Sequence, residues 1–406
     1  MNRTYRKYSS HIFFCVLFAA YLAVTLFLFH RQSVNYGDKY ISDMASYIAE
    51  IMGVSTGYDF PYPVMFWIAE FFSLFIGPKH AMALTVTGLN ALTVLILKYY
   101  FDRFLRVSRG ELCDHGSTIL VYLLLFMSML FPFSYLGRYH TFDEGFLYRY
   151  KGTFSPNPFH NATYLAARPF AVIAFFLAVD ILQQYEDQAG KLRWKYLAFS
   201  VILLVATMTK PSFTLILGSV CGVIMLWRLI RSKMKGLKAF LQFGVTFIPT
   251  FLALLYQYRG VFTGEAGGEE KGIGFGFLTA WKTATDNVFL SVLLGIAFPL
   301  SVVLFQRMKV RANAYLLFGW QFYATGLVSL IFLYEKGYRL PHVNFAWGYM
   351  YGLFFLYMIS LIALVQETRL RKQAAWKLIL QWIMFAAHMI CGADYFRIVV
   401  SGELYL

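Results

Sequence analysis

The chain has 406 residues, of which 59% are hydrophobic, 19% aromatic and only 14% charged, and its formal net charge is +15. A soluble domain has no interior for so much apolar surface, whereas runs of about 20 apolar residues recur along this sequence. The composition therefore excludes an ordinary soluble protein and predicts an all-α polytopic membrane protein, in which the positive charge reports orientation rather than nucleic-acid binding.

Eleven apolar segments predict membrane spans. They are 11–29, 82–101, 117–136, 164–183, 196–210, 212–230, 239–257, 288–306, 313–333, 345–365 and 377–393. The N-terminal cations resemble a signal peptide, but no small-residue cleavage site follows them, so we expect an uncleaved helix with a cytoplasmic N-terminus. The whole chain, 1–406, is interpreted as one membrane domain. Its parts are an outer loop at 30–81, core helices at 82–257, a flexible glycine-rich outer loop at 258–287 and C-terminal helices at 288–406.

Charge sets the orientation. If residues 64–76 do not span, one side of the membrane carries 22 of the 36 Lys and Arg residues but only 7 of the 21 acidic ones. The positive-inside rule makes that side cytoplasmic and leaves the C-terminus external. At ~1.5 Å per residue, the 13 residues 64–76 reach only ~20 Å, which is less than the ~30 Å thickness of the hydrocarbon core. We therefore expect an interfacial or re-entrant helix there.

The first outer loop, residues 36–77, begins with a short amphipathic pattern. The apolar residues repeating at helical spacing are Ile41, Met44, Ile48 and Ile51. Asp43 and Glu50 point away from that face. Such a helix can lie in a membrane interface with its apolar side down. Asp43 is then either a carboxylate held at the water boundary or simply a helix N-cap, and the spacing leaves both open.

Four potential cations lie at predicted outer ends of spans. Arg168 is about one turn inside a span, where a charge is costly unless it pairs or binds an anion; the alternative is an arginine that snorkels to the headgroups. Lys210 precedes Pro211, which breaks the helix between two short apolar segments. That geometry suits a phosphate, although an ordinary turn lysine fits as well. Arg339 and His342 lie together in the loop before a later span.

The second outer loop holds the other polar candidates. Asp143 and Glu144 could assist a base or a metal, or be a solvated pair. His160 and Asn161 follow, just before the span that carries Arg168. The glycine-rich run at 272–276 looks phosphate-binding but has no predicted βαβ unit around it, so it is interpreted as a flexible loop. Four scattered cysteines without a CxxC pair support neither a disulfide framework nor a zinc site.

The ordered segments resemble a known family. The start of the chain is similar to the start of GT-C-fold integral-membrane glycosyltransferases. It consists of a span, then SDMASYI, then YPVMFWIAEFFSLFIG. The later pieces SPNPFHNATYLAARPF, TKPSF and GYRLPHVNFAWGY resemble uncharacterised bacterial membrane proteins of that kind. The resemblance implies transfer of a sugar from a polyprenyl-phosphate donor to a cell-envelope glycan or lipid acceptor, on the outer face of a bacterial plasma membrane.

The resemblance also implies roles for particular residues. The general base falls on Asp43, with Asp38 as the alternative. The expected contacts of the donor phosphate are Arg168, Lys210, Arg339 and His342, with His160, Asn161, Asp143 and Glu144 in support. The tandem acidic motif that some members use for a metal is absent, so no metal site is assigned, and dependence on a divalent metal stays open.

Two other functions are considered. A transporter or flippase of lipid-linked saccharides needs polar residues through the middle of its spans. Asn90 and Gln321 are among the few candidates, no internal repeat is apparent, and the charges crowd at the faces, which favours an interfacial enzyme. A polysaccharide polymerase is the third possibility. Membrane lipids are expected partners and nucleic acid is not.

Overall fold

A computed structural model describes residues 3–37, 39–105, 115–131, 157–191, 193–262, 272–285, 287–371 and 373–402. These residues form helices and one small sheet. The α-helices are α1 (Arg3–Val34), α2 (Met44–Ile51), α3 (Val64–Ile76), α4 (Pro78–Phe104), α5 (His115–Leu130), α6 (Ala162–Leu182), α7 (Trp194–Thr207), α8 (Ser212–Arg231), α9 (Leu237–Gly244), α10 (Ile248–Phe262), α11 (Trp281–Ala284), α12 (Val288–Gly295), α13 (Ala297–Ala312), α14 (Ala314–Phe332), α15 (Ala346–Leu370) and α16 (Ala375–Ser401). Two 3-10 helices cover Val245–Phe247 and Gly337–His342, and strand β1 (Ile273–Phe275) pairs antiparallel with β2 (Leu333–Glu335).

The apolar helices make this an integral, polytopic membrane protein, as the composition predicts. Within the described ranges, eight helices are long and apolar enough to cross a membrane, or nine if α12 and the first part of α13, which meet at 61°, form one broken span. The expected count of about eleven is not reached by this criterion. The span expected at 196–210 is α7, whose 14 residues reach only ~21 Å. The one expected at 117–136 is α5, described only to Leu130.

The first loop contains the two predicted short helices, but they differ in what they contact. The 13-residue helix expected at 64–76 is confirmed as α3. Its outer face exposes Trp67, Phe71 and Leu74 to 60%, 58% and 77%, as suits a helix lying against lipid. In contrast, the apolar face of α2 does not lie on the membrane. Met44 and Ile48 are buried against α1, α3 and α4, so α2 is part of the protein core.

Helix α15 is at the centre of the bundle, and glycines let its neighbours approach it closely. It packs along α14 and also contacts α8, α13 and α16. A Cβ added at Gly352 would lie 2.9 Å from the Tyr323 Cα, and one at Gly326 would lie 3.1 Å from the Gly348 carbonyl oxygen. Small residues at a helix interface are what membrane bundles use for close packing, because lipid supplies no hydrophobic drive between helices. The α14–α15 pair therefore depends on these glycines.

The glycine-rich segment after α10 is more ordered than predicted. Helix α10 continues to Phe262, and the described residues from 272 onward include β1 and α11. The interpretation of 258–287 as one flexible loop is therefore wrong for these parts. A Cβ at Gly274 would lie 2.3 Å from the Tyr334 ring, so the glycine is needed for that ring to cover β1. The sequence needs glycine at this position because an aromatic side chain packs directly on the strand backbone, and not because the segment binds phosphate.

The two ends of the bundle differ in charge. At one end, Arg103 approaches Asp180 at 3.5 Å, and Arg228 donates to the Leu182 carbonyl at 2.6 Å. The ends of α4, α6 and α8 therefore meet there, beside the basic connection that follows α8. At the opposite end lie the turns before α2, α6 and α8, together with the sheet. Asp43, His160, Asn161 and Lys210, four of the residues predicted to carry chemistry, are at that second end.

We expect Gly352→Ala to destabilise the protein by ~1–3 kcal/mol, because the new methyl group overpacks the α14–α15 contact against backbone atoms. The matched control is Gly222→Ala in α8, where an added Cβ meets nothing within 4 Å. That substitution should be neutral or slightly stabilising, since alanine is the better helix former. Thermal unfolding of the purified protein in detergent measures both. Equal melting temperatures for the two variants would contradict the packing described here.

Candidate functional site

Three helix N-termini meet at one polar cluster. Asp43 is the residue before α2, Asn161 is the N-cap of α6, and Lys210 lies in the turn just before α8. The turn at Lys210 forms as the sequence predicts, because Pro211 starts a new helix after α7 ends at Thr207. It is tied to the first loop, since the Val64 backbone N–H donates to the Met208 carbonyl at 3.1 Å. Each N-terminus carries a partial positive charge, so the cluster favours anions.

The Asp43 carboxylate receives donors from two parts of the chain. Asn161 Nδ2 donates to Oδ2 at 2.6 Å, and the Tyr47 phenol donates to the same oxygen at 3.2 Å. His160 Nε2 lies 3.1 Å from Oδ1. The Asp43 backbone N–H also donates to the His160 carbonyl at 3.1 Å. The side chain makes no capping hydrogen bond to α2, so the interpretation of Asp43 as a simple N-cap is wrong.

Asp43 is ionised yet still accessible. Burial alone would raise the pKa of this carboxyl, but the His160 and Lys210 charges and the hydrogen bonds from His160 and Asn161 outweigh it and hold the pKa below its usual value. Even so, 34% of the side-chain surface is exposed. The protein thus stabilises the charge of a carboxyl group whose side chain is partly exposed.

Asn161 links this carboxylate to a buried lysine. Its Oδ1 accepts from Lys210 Nζ at 3.0 Å, from the Thr163 hydroxyl at 2.7 Å and from the Tyr164 backbone N–H at 2.9 Å. The last of these contacts is the cap of α6. One amide therefore caps a helix, donates to Asp43 and accepts from Lys210. Its orientation is fixed by these partners, because only the oxygen can accept and only the nitrogen can donate.

Lys210 is a buried cation that makes two hydrogen bonds among the described residues. Its Nζ also donates to Thr163 Oγ1 at 3.2 Å and lies 5.2 Å from the centre of the Trp347 ring. Burial lowers the pKa of the ammonium to about 8, and the Asp43 charge opposes that shift. An ammonium has three N–H donors, and two of them are used within the cluster. The third can serve an anion that enters beside Asp43.

Arg168 lies deeper on α6 and apart from this cluster. Seven residues after Asn161, it is on nearly the same helix face but ~10 Å further along the axis. Its guanidinium carbon is 5.2 Å from the Tyr164 ring centre and 5.0 Å from that of Phe354. The side chain is 4% exposed, and its Nε has no hydrogen-bond partner among the described residues. Aromatic faces surround the charge without neutralising it.

Arg339 and His342 lie on the exposed 3-10 helix Gly337–His342, and their contacts are with tyrosines. Arg339 Nε donates to the Tyr338 phenol at 3.2 Å, and its guanidinium carbon is 5.9 Å from the Tyr58 ring centre. The His342 ring is 6.1 Å from that of Tyr58. Neither makes a described contact with Asp43 or Lys210. The structure thus brings Asp43, His160, Asn161 and Lys210 together and places Arg168, Arg339 and His342 elsewhere around them.

Several candidates lie outside the described residues. These are Asp38, the alternative base, and the supporting pair Asp143 and Glu144. Where the structure describes the chain, no group of three or more His, Cys, Asp and Glu side chains is placed to hold a metal ion.

Sequence reasoning missed three members of the cluster, Tyr47, Thr163 and Trp347. Tyr47 follows Asp43 by four residues, a spacing that puts two helical side chains on one face and could have identified it. Thr163 and Trp347 carried no comparable signal. Each is brought to the site by packing between helices distant in sequence.

Comparison with known proteins adds no information on the fold or the site. No protein-family model, no curated protein and no solved structure matches this chain. The class that the structure defines is a polytopic helical membrane protein, with a polar cluster at one end of its bundle.

We expect Asn161→Ala to destabilise the protein more than Asn313→Ala. Asn313 also caps a helix, accepting from the Tyr315 and Leu316 backbone N–H groups, but it is not part of the Asp43 cluster. Loss of a cap alone costs ~1 kcal/mol. Asn161→Ala should cost a further ~1–3 kcal/mol, because it leaves buried polar groups without a partner. Thermal unfolding in detergent measures both variants, and equal losses would show that Asn161 acts as a cap only.

Proposed function

We propose that the protein is a GT-C-type membrane glycosyltransferase that moves a sugar from a polyprenyl-phosphate donor to an acceptor, with Asp43 as the general base. One observation carries the proposal. A partly exposed carboxylate is held ionised by donors from Tyr47, His160 and Asn161, and the same asparagine joins it to a buried lysine. A base and a cation at one site are what transfer from a phosphate leaving group needs.

In this proposal the Asp43 end of the bundle faces outward. The opposite end carries Arg103, Arg228 and the run of cations after α8, so the positive-inside rule makes that end cytoplasmic. The chain then crosses eleven times, with α5 and α7 as short crossings, an inner N-terminus and an outer C-terminus. The donor lipid and the acceptor would meet at the outer leaflet of a bacterial plasma membrane.

The chemistry balances with the residues at the site. An acceptor hydroxyl attacks the anomeric carbon of the donor sugar, and the bond from that carbon to the phosphate oxygen breaks. The hydroxyl proton passes to the Asp43 carboxylate, and the polyprenyl phosphate leaves with the bonding electron pair. Asp43 suits the role because it is ionised before the reaction and accessible to an incoming hydroxyl.

Lys210 is proposed to stabilise the leaving phosphate. Its Nζ is joined to Asp43 through Asn161, and its third N–H donor is not used by Asn161 or Thr163. The N-termini of α6 and α8 add partial positive charge where negative charge develops. Arg168 adds a full charge deeper in the bundle, on the same side of α6. Because Arg339 and His342 contact tyrosines on the exposed turn, they are not assigned to the phosphate.

A transporter or flippase, or a polymerase, is the alternative. Two polar groups inside the spans are paired with other parts of the bundle: Asn90 donates to the Tyr21 phenol at 2.6 Å, and Tyr357 contacts His388 and donates to the Gly295 carbonyl. Pairing of this kind supports a static scaffold better than a polar path through the bundle. Arg168, whose Nε has no hydrogen-bond partner among the described residues, is the feature that a transport path would use.

We expect Asp43→Asn to reduce glycosyl transfer by a factor of ~10²–10⁴ while leaving the fold nearly intact. The amide keeps the size of the carboxylate and one acceptor oxygen but cannot take the proton of the acceptor. Transfer is measured from a panel of radiolabelled polyprenyl-phosphate-linked hexoses, with thermal unfolding as the check on folding. Glu50→Gln is the matched control, since Glu50 is an exposed carboxylate on the same short helix and should stay active.

Asp38→Asn separates the two candidate bases. Normal turnover by Asp43→Asn together with an inactive Asp38→Asn variant would move the base five residues upstream. If both variants transfer sugar normally, the glycosyltransferase proposal is wrong and the transporter takes its place.

A further inference from the structure

An exposed group of aromatic rings lies on the turn beside the Asp43 site. Tyr58 from the first loop meets Tyr338 and His342 from the 3-10 helix Gly337–His342. The ring centres are 6.4 Å apart for Tyr58 and Tyr338, 6.1 Å for Tyr58 and His342, and 6.2 Å for Tyr338 and His342. We call these three side chains, together with Arg339, the aromatic platform. It brings together two loops that lie about 280 residues apart in the sequence.

The platform has both apolar faces and a fixed cation. Tyr58 is 37% exposed and Tyr338 41% exposed, so part of each side chain is accessible from outside the bundle. The Arg339 guanidinium carbon lies 5.9 Å from the Tyr58 ring centre and 5.6 Å from that of Tyr338. The hydrogen bond from Arg339 Nε to the Tyr338 phenol sets the direction of the guanidinium plane. An arginine stacked in this way is pre-organised and keeps its other N–H donors in a known plane.

Tyr62 connects the platform to the Asp43 site. Burial and the Asp43 charge raise the pKa of the Tyr62 phenol, and the Arg339 guanidinium opposes this shift. Both charges therefore act on one phenol, with Asp43 at the cluster and Arg339 on the platform. The platform and the Asp43 cluster therefore both lie within electrostatic range of the same phenol.

The chemistry of this surface fits a saccharide. A sugar ring has C–H faces that pack on aromatic rings and a rim of hydroxyls that need donors and acceptors. Tyr58 and Tyr338 supply ring faces, while their phenols, Arg339 and His342 supply hydrogen-bonding groups. A lipid tail would gain nothing from the guanidinium, and a phosphate alone would gain nothing from the rings. Of these ligands, only a saccharide uses both kinds of group.

We propose that the aromatic platform is a saccharide-binding site that holds a carbohydrate by ring stacking on Tyr58 and Tyr338 and by hydrogen bonds to Arg339. Its assignment as the acceptor site rests on the proposed transferase function, whereas saccharide binding itself does not. The platform also gives Arg339 and His342 a different role from the phosphate contacts expected from the sequence.

Binding by the full-length protein in detergent tests this. The probe is a printed array of neutral, amino and acidic oligosaccharides, followed by titration of the best-bound member. Tyr58→Ala and Tyr338→Ala should each weaken binding by a factor of ~10, because each removes a ring face on which the sugar packs. Tyr58→Phe keeps the ring and should retain most of the affinity. Tyr99→Ala removes a tyrosine that is 61% exposed on α4 and should leave binding unchanged.

The outcomes separate this proposal from the transferase. If no oligosaccharide binds, or if the alanine variants bind as well as the unmodified protein, the platform is not a saccharide site. If those variants lose co-purified phospholipid and no saccharide binds, the platform is part of the lipid boundary, and this result also overturns the proposal. If the unmodified protein binds a saccharide through the platform but transfers no sugar, the transferase proposal is rejected and the saccharide site is kept.

Discussion

The Asn161 amide is the constraint on which the candidate site depends. It donates to the Asp43 carboxylate, accepts from the Lys210 ammonium and caps α6 through the Tyr164 backbone N–H. A buried ammonium and a partly buried carboxylate are each costly to remove from water, and the cost is offset only when their hydrogen bonds are satisfied in fixed geometry. Because the amide belongs to the first turn of a buried helix, both charges take their positions from the rigid part of the bundle.

The rest of the fold places this constraint at one end of the membrane. Helix α15 is enclosed by its neighbours, and the close α14–α15 contact at Gly352 positions Trp347 beside Lys210. Helix α3 keeps a row of large apolar side chains exposed, while its N-terminus is hydrogen bonded to the turn before Lys210. An element suited to lipid contact is therefore joined directly to the polar cluster. This arrangement fits an enzyme whose donor stays in the bilayer while its reactive end reaches a wet site.

Much of this could be predicted from sequence, and the parts that could not have physical reasons. Apolar runs gave the membrane class, and length alone identified α3 as too short to span. The exceptional positions of Asp43 and Lys210 were visible as polar residues at helix breaks. His160 and Asn161 were predicted only as supporting residues. Their contacts with Asp43 join residues more than 110 positions apart, and only tertiary packing decides such contacts. The buried face of α2 was misjudged for the same reason, because an amphipathic pattern does not distinguish lipid from protein as the apolar partner.

The most direct test of the central claim is an electron cryomicroscopy structure of the full-length protein with bound polyprenyl phosphate. We expect density for the phosphate beside the Asp43 cluster, with an oxygen ~3 Å from Lys210 Nζ as in other charge-assisted hydrogen bonds. The lipid tail should then leave the site between apolar helices. Phosphate density at the basic end of the bundle, or at the Asp43 end but away from Lys210, would contradict it.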